Sequence, residues 1–161
     1  MNTTSQGITV KIALAVCLAI GGVGPVLADT SITCKATSEA DIKALFDRWN
    51  ASLKTGNPDE VVKNYAPEAI LLPTVSNKPR LTQDERRDYF VHFLENHPVG
   101  AIDMRVIKLG CNDAIDAGIY TFTFGNGQKV RARYTYTYTL QEGKWLISSH
   151  HSSSMPEKSD Q

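Results

Sequence analysis

The chain has 161 residues, of which 17 are basic and 17 acidic, so its formal net charge is zero. After a short targeting segment, that length leaves one ordinary domain with enough residues to bury a core. The charge is balanced and no basic patch stands out, which argues against nucleic acid as the main partner. We expect no cofactor.

The first 28 residues have the pattern of a signal peptide. Residues 1–11 are polar and end in one positive charge, and residues 12–27 are almost wholly apolar or small. Val26-Leu27-Ala28 supplies small residues where a signal peptidase reads them. Glycines and Pro25 interrupt the apolar run, so it makes a poor membrane span. We expect a periplasmic or secreted protein with no stable membrane span after cleavage, a retained anchor being the alternative.

Two cysteines, Cys34 and Cys111, remain after the predicted cleavage. An exported protein meets an oxidising compartment, where an even number of cysteines predicts a disulfide. The bond would tie the N-terminal arm, residues 29–37, to a central strand. Two unrelated buried thiols are the alternative.

Three helices are predicted in the first half of the mature chain. Ser38 begins the first, and apolar side chains follow at helical spacing: Ile42, Leu45, Phe46, Trp49 and Leu53. Pro58 opens a short second helix. Thr82 and Glu85 form a capping box at the start of the third. A short buried strand and a loop, residues 69–80, separate the second helix from the third.

Four strands of an antiparallel meander follow, at residues 101–111, 117–124, 129–140 and 144–153. Helices first and a run of strands afterwards indicate an α+β fold. We expect one domain over residues 38–156, with a cone-like, curved antiparallel sheet packed on three N-terminal helices. Residues 157–161 are predicted to be a loose tail.

The strand at 129–140 carries the most information about function. Because side chains alternate along a strand, one of its faces is aromatic and apolar, with Tyr134, Tyr136 and Tyr138. Regular pairing with the last strand would place Tyr134 near His151 and Tyr136 near Ser149. An apolar face with one polar end predicts a ligand pocket. Plain core packing is the alternative.

We therefore predict one cavity lined by Trp49, Tyr65, Tyr134, Tyr136 and His151, with His150 at a surface or subunit contact. As an imidazolium, His151 would bind a small polar or anionic ligand, more weakly as the pH rises. Adjacent histidines on a strand point to opposite sides, so we expect no metal site. No nucleophile elbow or phosphate-binding loop occurs, and we assign no catalytic residue.

Residues 131–156 read RARYTYTYTLQEGKWLISSHHSSSMP, with a Gly143-Lys144-Trp145 turn and a His150-His151-Ser152-Ser153 end. This stretch resembles the association domain of calcium/calmodulin-dependent protein kinase II and its exported bacterial relatives. These belong to the nuclear transport factor 2-like superfamily, which includes the SnoaL-like enzymes. The helix with Trp49 and the run from Tyr65 to Pro73 fit the same order, so the resemblance covers residues 38–156.

The resemblance implies a sheet closed by three helices around a conical pocket, and assembly through the outer face of the sheet into at least a homodimer. The family pocket carries arginine, and Arg133 is the nearest candidate, although strict alternation places it opposite the tyrosines. The resemblance implies a ligand-binding and self-assembly module without kinase activity. The alternatives are a small SnoaL-like lyase, isomerase or hydrolase using His151, and an accessory subunit of an exported complex.

Overall fold

The computed structural model describes residues 33–156, and the predicted signal peptide, the start of the arm and the tail at 157–161 lie outside them. The α+β architecture is confirmed. Its elements are α1 Glu39–Leu53, α2 Pro58–Val62, β1 Tyr65–Leu72, α3 Gln83–Leu94, β2 Val99–Leu109, β3 Asp113–Thr123, β4 Lys129–Gln141 and β5 Lys144–Ser154. No helix in the described range is long and apolar enough to cross a membrane.

The five strands form one sheet in the order β1-β5-β4-β3-β2. Strands β2 to β5 are the predicted antiparallel meander. The first strand starts at Tyr65, earlier than predicted, and lies parallel to β5 at the edge of the sheet. Strand β3 also begins earlier than predicted, at Asp113. The central strands are therefore β5, β4 and β3, and their inner face carries the site.

The helices begin where the sequence indicates. Ser38 and Asp41 cap α1 reciprocally: Ser38 N donates to Asp41 Oδ2 at 2.8 Å, and Asp41 N donates to Ser38 Oγ at 3.3 Å. Thr82 and Glu85 form the predicted capping box of α3. These reciprocal bonds satisfy N–H groups that have no partner within a helix. The apolar stripe of α1 is buried in the core, which fixes Trp49 against the sheet.

A buried arginine joins α3 to β1. Arg86 is 1% exposed. Its guanidinium donates to four backbone carbonyl oxygens, those of Ala66, Pro67, Ala69 and Leu81. The first three carbonyls lie where β1 departs from regular pairing with β5, between Tyr65 and Ile70. Carbonyls at such a break lack ladder partners, so Arg86 supplies the donors that their burial requires.

The predicted disulfide is present. Cys34 and Cys111 are bonded with a Cα–Cα distance of 4.7 Å across a sequence separation of 77. Cys111 lies in the turn between β2 and β3 rather than inside a strand. Asn112 supports the link with two hydrogen bonds. Its Oδ1 accepts from Lys35 N, and its Nδ2 donates to the carbonyl of Thr33. Thr33, Cys34 and Lys35 are thus held to the β2–β3 turn.

We predict that the double variant Cys34→Ser/Cys111→Ser folds but loses stability. For a loop of this length, the chain-entropy model gives a contribution of about 4 kcal/mol from the cross-link. Urea unfolding of oxidised wild type and variant measures the difference. Alkylation of the unreduced mature protein tests whether the disulfide forms. Two freely alkylated thiols would show that it does not.

Candidate functional site

A cavity of about 290 Å³ lies between the inner face of the sheet, the helices α1 and α3, and the loop that follows β1. Aromatic side chains form the largest group in its wall: Trp49, Tyr89, Phe90, Phe93, Tyr120, Phe122 and Phe124. Polar groups come from Thr74, His150 and Ser152, and from the amides of Asn96, Asn126 and Gln128. Among the described residues, the wall of this cavity includes no Lys, Arg, Asp or Glu. The cavity therefore offers neutral hydrogen-bonding groups within an apolar enclosure.

Three hydroxyl groups meet at Ser152. Its Oγ accepts a hydrogen bond from Tyr120 OH at 2.5 Å and another from Thr74 Oγ1 at 2.5 Å. A serine oxygen has two lone pairs, so both are occupied and the serine hydrogen remains available to donate. Burial raises the pKa of Tyr120, which keeps its phenol protonated as a donor. The cluster thus presents a hydroxyl donor to the cavity.

His150 is the second polar group of the cavity and is 5% exposed. Its Nδ1 lies 2.9 Å from Tyr65 OH, and Tyr65 OH in turn accepts from Trp49 Nε1 at 3.1 Å. The ring of Tyr136 stacks on the imidazole with centroids 4.1 Å apart. His150 Nε2 is buried without a protein partner in the described residues. Burial, and to a lesser extent the nearby His151, lowers the pKa of His150 to about 3, so the ring is neutral at physiological pH.

The prediction for the two histidines was wrong. His151 pairs with Thr135 and is exposed on the outer face, whereas His150 pairs with Tyr136 and enters the cone. The cause is a β-bulge in β5: Tyr138 pairs with Ile147 and Thr137 with Ser149, which leaves Ser148 as an extra residue. One extra residue exchanges the two faces of everything that follows it. The alternative of an enzyme that uses His151 therefore lacks its proposed residue, because His151 does not line the cavity.

The other predicted pocket residues divide into three groups. Trp49 lines the cavity. Tyr65, Tyr134 and Tyr136 are buried on the inner side but stand behind the residues that line it. Arg133 is exposed on the outer face, where its Nη2 donates to the carbonyl of Ser154 at 3.1 Å. Placing Arg133 in the pocket was therefore wrong, and strict alternation along β4 is the reason.

Sequence reasoning missed Thr74, Tyr120 and Ser152. Tyr120 could have been found, because alternation along β3 puts it on the same face as Phe122. Ser152 was hidden by the bulge, which reverses its face. Thr74 lies in a loop, where no periodicity indicates direction.

A buried carboxylate lies behind the tyrosines of β4. Asp116 is fully buried, and its Oδ1 accepts from Tyr134 OH at 2.9 Å and from Arg105 Nε at 3.1 Å. Burial raises the pKa of this carboxyl, and its two donors offset part of that effect. Asp116 does not line the cavity and makes no hydrogen bond to His150. It therefore gives the inner face a buried polar cluster separate from the candidate site.

Residues 33–156 contain no group of three or more His, Cys, Asp or Glu side chains that could hold a metal ion. Within these residues, the polar groups of the cavity are the hydroxyl cluster, His150 and the amides of Asn96, Asn126 and Gln128.

Comparison with known families gives one match along the domain. Residues 38–156 match the sequence model of the calcium/calmodulin-dependent protein kinase II association domain. A search of curated proteins gave no match.

Solved structures give further matches. A protein from Xanthomonas campestris, described as such an association domain, is 48% identical, with 80% of this chain and 99% of that chain covered and a TM-score of 0.71. A cyanobacterial iota-carbonic anhydrase in complex with bicarbonate is 20% identical, with 80% and 99% covered and a TM-score of 0.70. A nuclear transport factor 2-like protein from Pseudomonas putida is 15% identical, with 74% and 88% covered and a TM-score of 0.66.

The low pKa of His150 predicts an acid-dependent loss of stability. Folding lowers this pKa from 6.5 to about 3, so the unfolded chain takes up the proton first as the pH falls. The contribution of His150 is thus fully present above pH 6.5 and is lost as the pH drops towards 3. Between pH 6.5 and pH 5 the loss should be about 2 kcal/mol.

The neighbouring histidines supply a matched pair for this test. Urea unfolding at both pH values should show that His150→Gln loses about 2 kcal/mol less than the wild type over the interval. His151→Gln should keep most of the wild-type pH dependence, because it leaves the buried His150 in place. Equal pH dependence in all three proteins would contradict the burial of a neutral His150.

Proposed function

Because this chain belongs to the calcium/calmodulin-dependent protein kinase II association-domain family, we propose that it binds a small polar molecule in its cavity and assembles with copies of itself. The observation that carries the binding function is the meeting of three hydroxyls at Ser152 in a cavity whose wall also includes His150, whose Nε2 has no hydrogen-bond partner within residues 33–156. Export to the periplasm or outside the cell is part of the proposal. The sequence pattern of residues 1–28 and the Cys34–Cys111 disulfide support it.

The chemistry of the cavity defines the kind of ligand. Six lining residues supply polar groups, and the remaining wall is aromatic or aliphatic, which is the usual composition of a small-molecule site. A ligand oxygen that accepts a hydrogen bond from Ser152 or His150 would pair a donor that has no acceptor within residues 33–156. A ligand that lacks such an oxygen would leave the buried donors unpaired, at a cost of about 1–3 kcal/mol each. Discrimination should therefore depend on the polar end of the ligand.

Reversible hydration of carbon dioxide is a second candidate function. The hydroxyl cluster favours it, because neutral hydroxyl donors suit the oxygens of carbon dioxide and bicarbonate. A protein with a similar fold is an iota-carbonic anhydrase that was solved in complex with bicarbonate. At 20% identity, that similarity supports the fold alone, so the candidate rests on Thr74, Tyr120 and Ser152 themselves.

We predict that Ser152→Ala weakens ligand binding, whereas Ser153→Ala does not. Ser152 lies at the centre of the hydroxyl cluster, and Ser153 pairs with Arg133 on the outer face. Loss of one buried hydrogen bond should reduce affinity about tenfold. Native mass spectrometry of the mature proteins measures the fraction that retains a small molecule. Equal retention by the two variants, or no small molecule on the wild type, counts against binding at this cluster.

The same two variants test the second candidate. Oxygen-18 exchange between carbon dioxide and water should be accelerated by the wild type and by Ser153→Ala, and slowed in Ser152→Ala. A wild type that does not accelerate the exchange removes carbon dioxide hydration and leaves the binding proposal in place.

The outer face of the sheet supports the assembly part of the proposal. Thr135, Thr137 and Thr139 lie on it, beside exposed apolar side chains of β2 and β3: Met104, Val106 and Ile115. Contiguous exposed apolar groups mark interaction surfaces. An outer face of this composition suits a contact between two sheets.

We predict that Val106→Glu weakens self-association. Val106 is 51% exposed in the middle of β2, so a carboxylate there would be desolvated in a sheet-on-sheet contact. Val91→Glu, on α3 and 38% exposed, is the control for adding a charge at an exposed valine. Sedimentation velocity should show an oligomer for the wild type and Val91→Glu and a shift to monomer for Val106→Glu. A monomeric wild type at high concentration would refute the assembly proposal.

A further inference from the structure

Three side chains from three elements form a hydrogen-bonded row that ends at the cavity. Trp49 Nε1 lies 3.1 Å from Tyr65 OH, and Tyr65 OH lies 2.9 Å from His150 Nδ1. We call this row the Trp49–Tyr65–His150 relay. All three side chains are at least 95% buried, so water does not compete for these contacts.

The direction of each hydrogen bond follows from the donor inventory. An indole N–H can only donate, so Tyr65 oxygen is the acceptor in the first contact. Burial raises the pKa of Tyr65 well above its ordinary value, so its phenol keeps its hydrogen. Of the two hydrogen-bond partners of Tyr65 OH, only His150 Nδ1 can accept that hydrogen.

The opposite arrangement leaves a buried donor unpaired. If His150 carried its hydrogen on Nδ1, that N–H would donate to Tyr65 and the phenol hydrogen would lose its acceptor. An unpaired buried hydroxyl costs about 1–3 kcal/mol. When Nδ1 carries no hydrogen, it accepts the phenol hydrogen of Tyr65, and no donor within the relay is left unpaired. A neutral imidazole with a bare Nδ1 carries its hydrogen on Nε2.

We infer that the Trp49–Tyr65–His150 relay fixes His150 as the Nε2-protonated tautomer, so that a residue of the cavity wall holds a buried N–H donor and selects uncharged molecules with an acceptor oxygen, of the carbonyl class. This inference rests on the proposed binding function. Nε2 is buried, has no partner within residues 33–156, and belongs to a residue that lines the cavity. Trp49 and Tyr65 are positioning residues, because they act through His150.

The surroundings of His150 explain why the ligand is uncharged. The imidazole is packed between Tyr136 of β4, Tyr65 of β1 and Trp49 of α1, all neutral rings. Among the described residues that line the cavity none is charged, so a carboxylate ligand would find no cation and an ammonium ligand no anion. Ser152 adds a second neutral donor two residues further along β5. A carbonyl oxygen accepts from such donors without a charge, and carbon dioxide belongs to this class.

Nitrogen-15 NMR of histidine-labelled mature protein tests the tautomer directly. Long-range ¹H–¹⁵N correlations distinguish a protonated Nε2 from a protonated Nδ1. We expect His150 to be the Nε2-protonated tautomer in the wild type, and the Nδ1-protonated form to appear in Tyr65→Phe. Tyr138→Phe is the matched control, since it removes another buried hydroxyl, one without a partner in the described residues. A wild-type His150 protonated on Nδ1 would overturn the inference, whether or not Tyr65→Phe folds.

Three probes of similar size test the ligand class. Acetophenone carries a carbonyl oxygen, α-methylstyrene has a CH₂ group in its place, and benzoate carries a charge. We expect acetophenone to shift the Nε2 resonance and to bind at least about tenfold more tightly than either analogue. Equal affinity for acetophenone and α-methylstyrene, tighter binding of benzoate, or no binding of all three would overturn the carbonyl class. Failure of the proposed binding function shows separately, as no retained small molecule in native mass spectrometry.

Discussion

A single extra residue in β5, Ser148, sets the direction of every later side chain of that strand. Its hydroxyl lies 2.8 Å from Thr137 Oγ1, at the position where the pairing of β4 and β5 shifts. With the bulge, His150 stacks on Tyr136 and Ser152 reaches Tyr120. Without it, both would point to the outer face, because a shift of one residue exchanges the faces of a strand. The relay and the hydroxyl cluster therefore depend on one backbone irregularity.

Charged side chains of the inner half of the molecule serve the architecture rather than the cavity. Arg86 is bonded to the backbone carbonyls of β1, and Arg105 to the buried carboxylate of Asp116. An isolated buried charge is costly, so each is held by partners away from the cavity. Removing Arg86 would leave several carbonyls of β1 unpaired. What remains for the site is a set of oriented neutral donors, whose strength comes from fixed direction in an apolar enclosure.

The parts of the fold that depend on neighbouring residues could be predicted from the sequence. Capping by Ser38 and by Thr82 is a contact within one helical turn, and the buried stripe that includes Trp49 is a period along one helix. The disulfide followed from the cysteine count and the predicted export. The bulge at Ser148 and the parallel pairing of β1 with β5 arise from contacts between strands. The periodicity of a single strand does not indicate such contacts. For this reason, the site was placed on the correct sheet but on the wrong histidine.

Alternation along β4 and β5 gives the same two strands two faces with different chemistry. Tyr134, Tyr136 and His150 point inward, whereas Thr135, Thr137 and His151 point outward between them. The cavity wall and the outer surface thus share one backbone, which also carries the stacking of Tyr136 on His150. Because interiors at crystal-like density transmit such constraints, the orientation of His150 depends on the sheet as a whole as well as on Tyr65. The proposed assembly through the outer face and the proposed binding in the cavity would therefore use the two faces of one sheet.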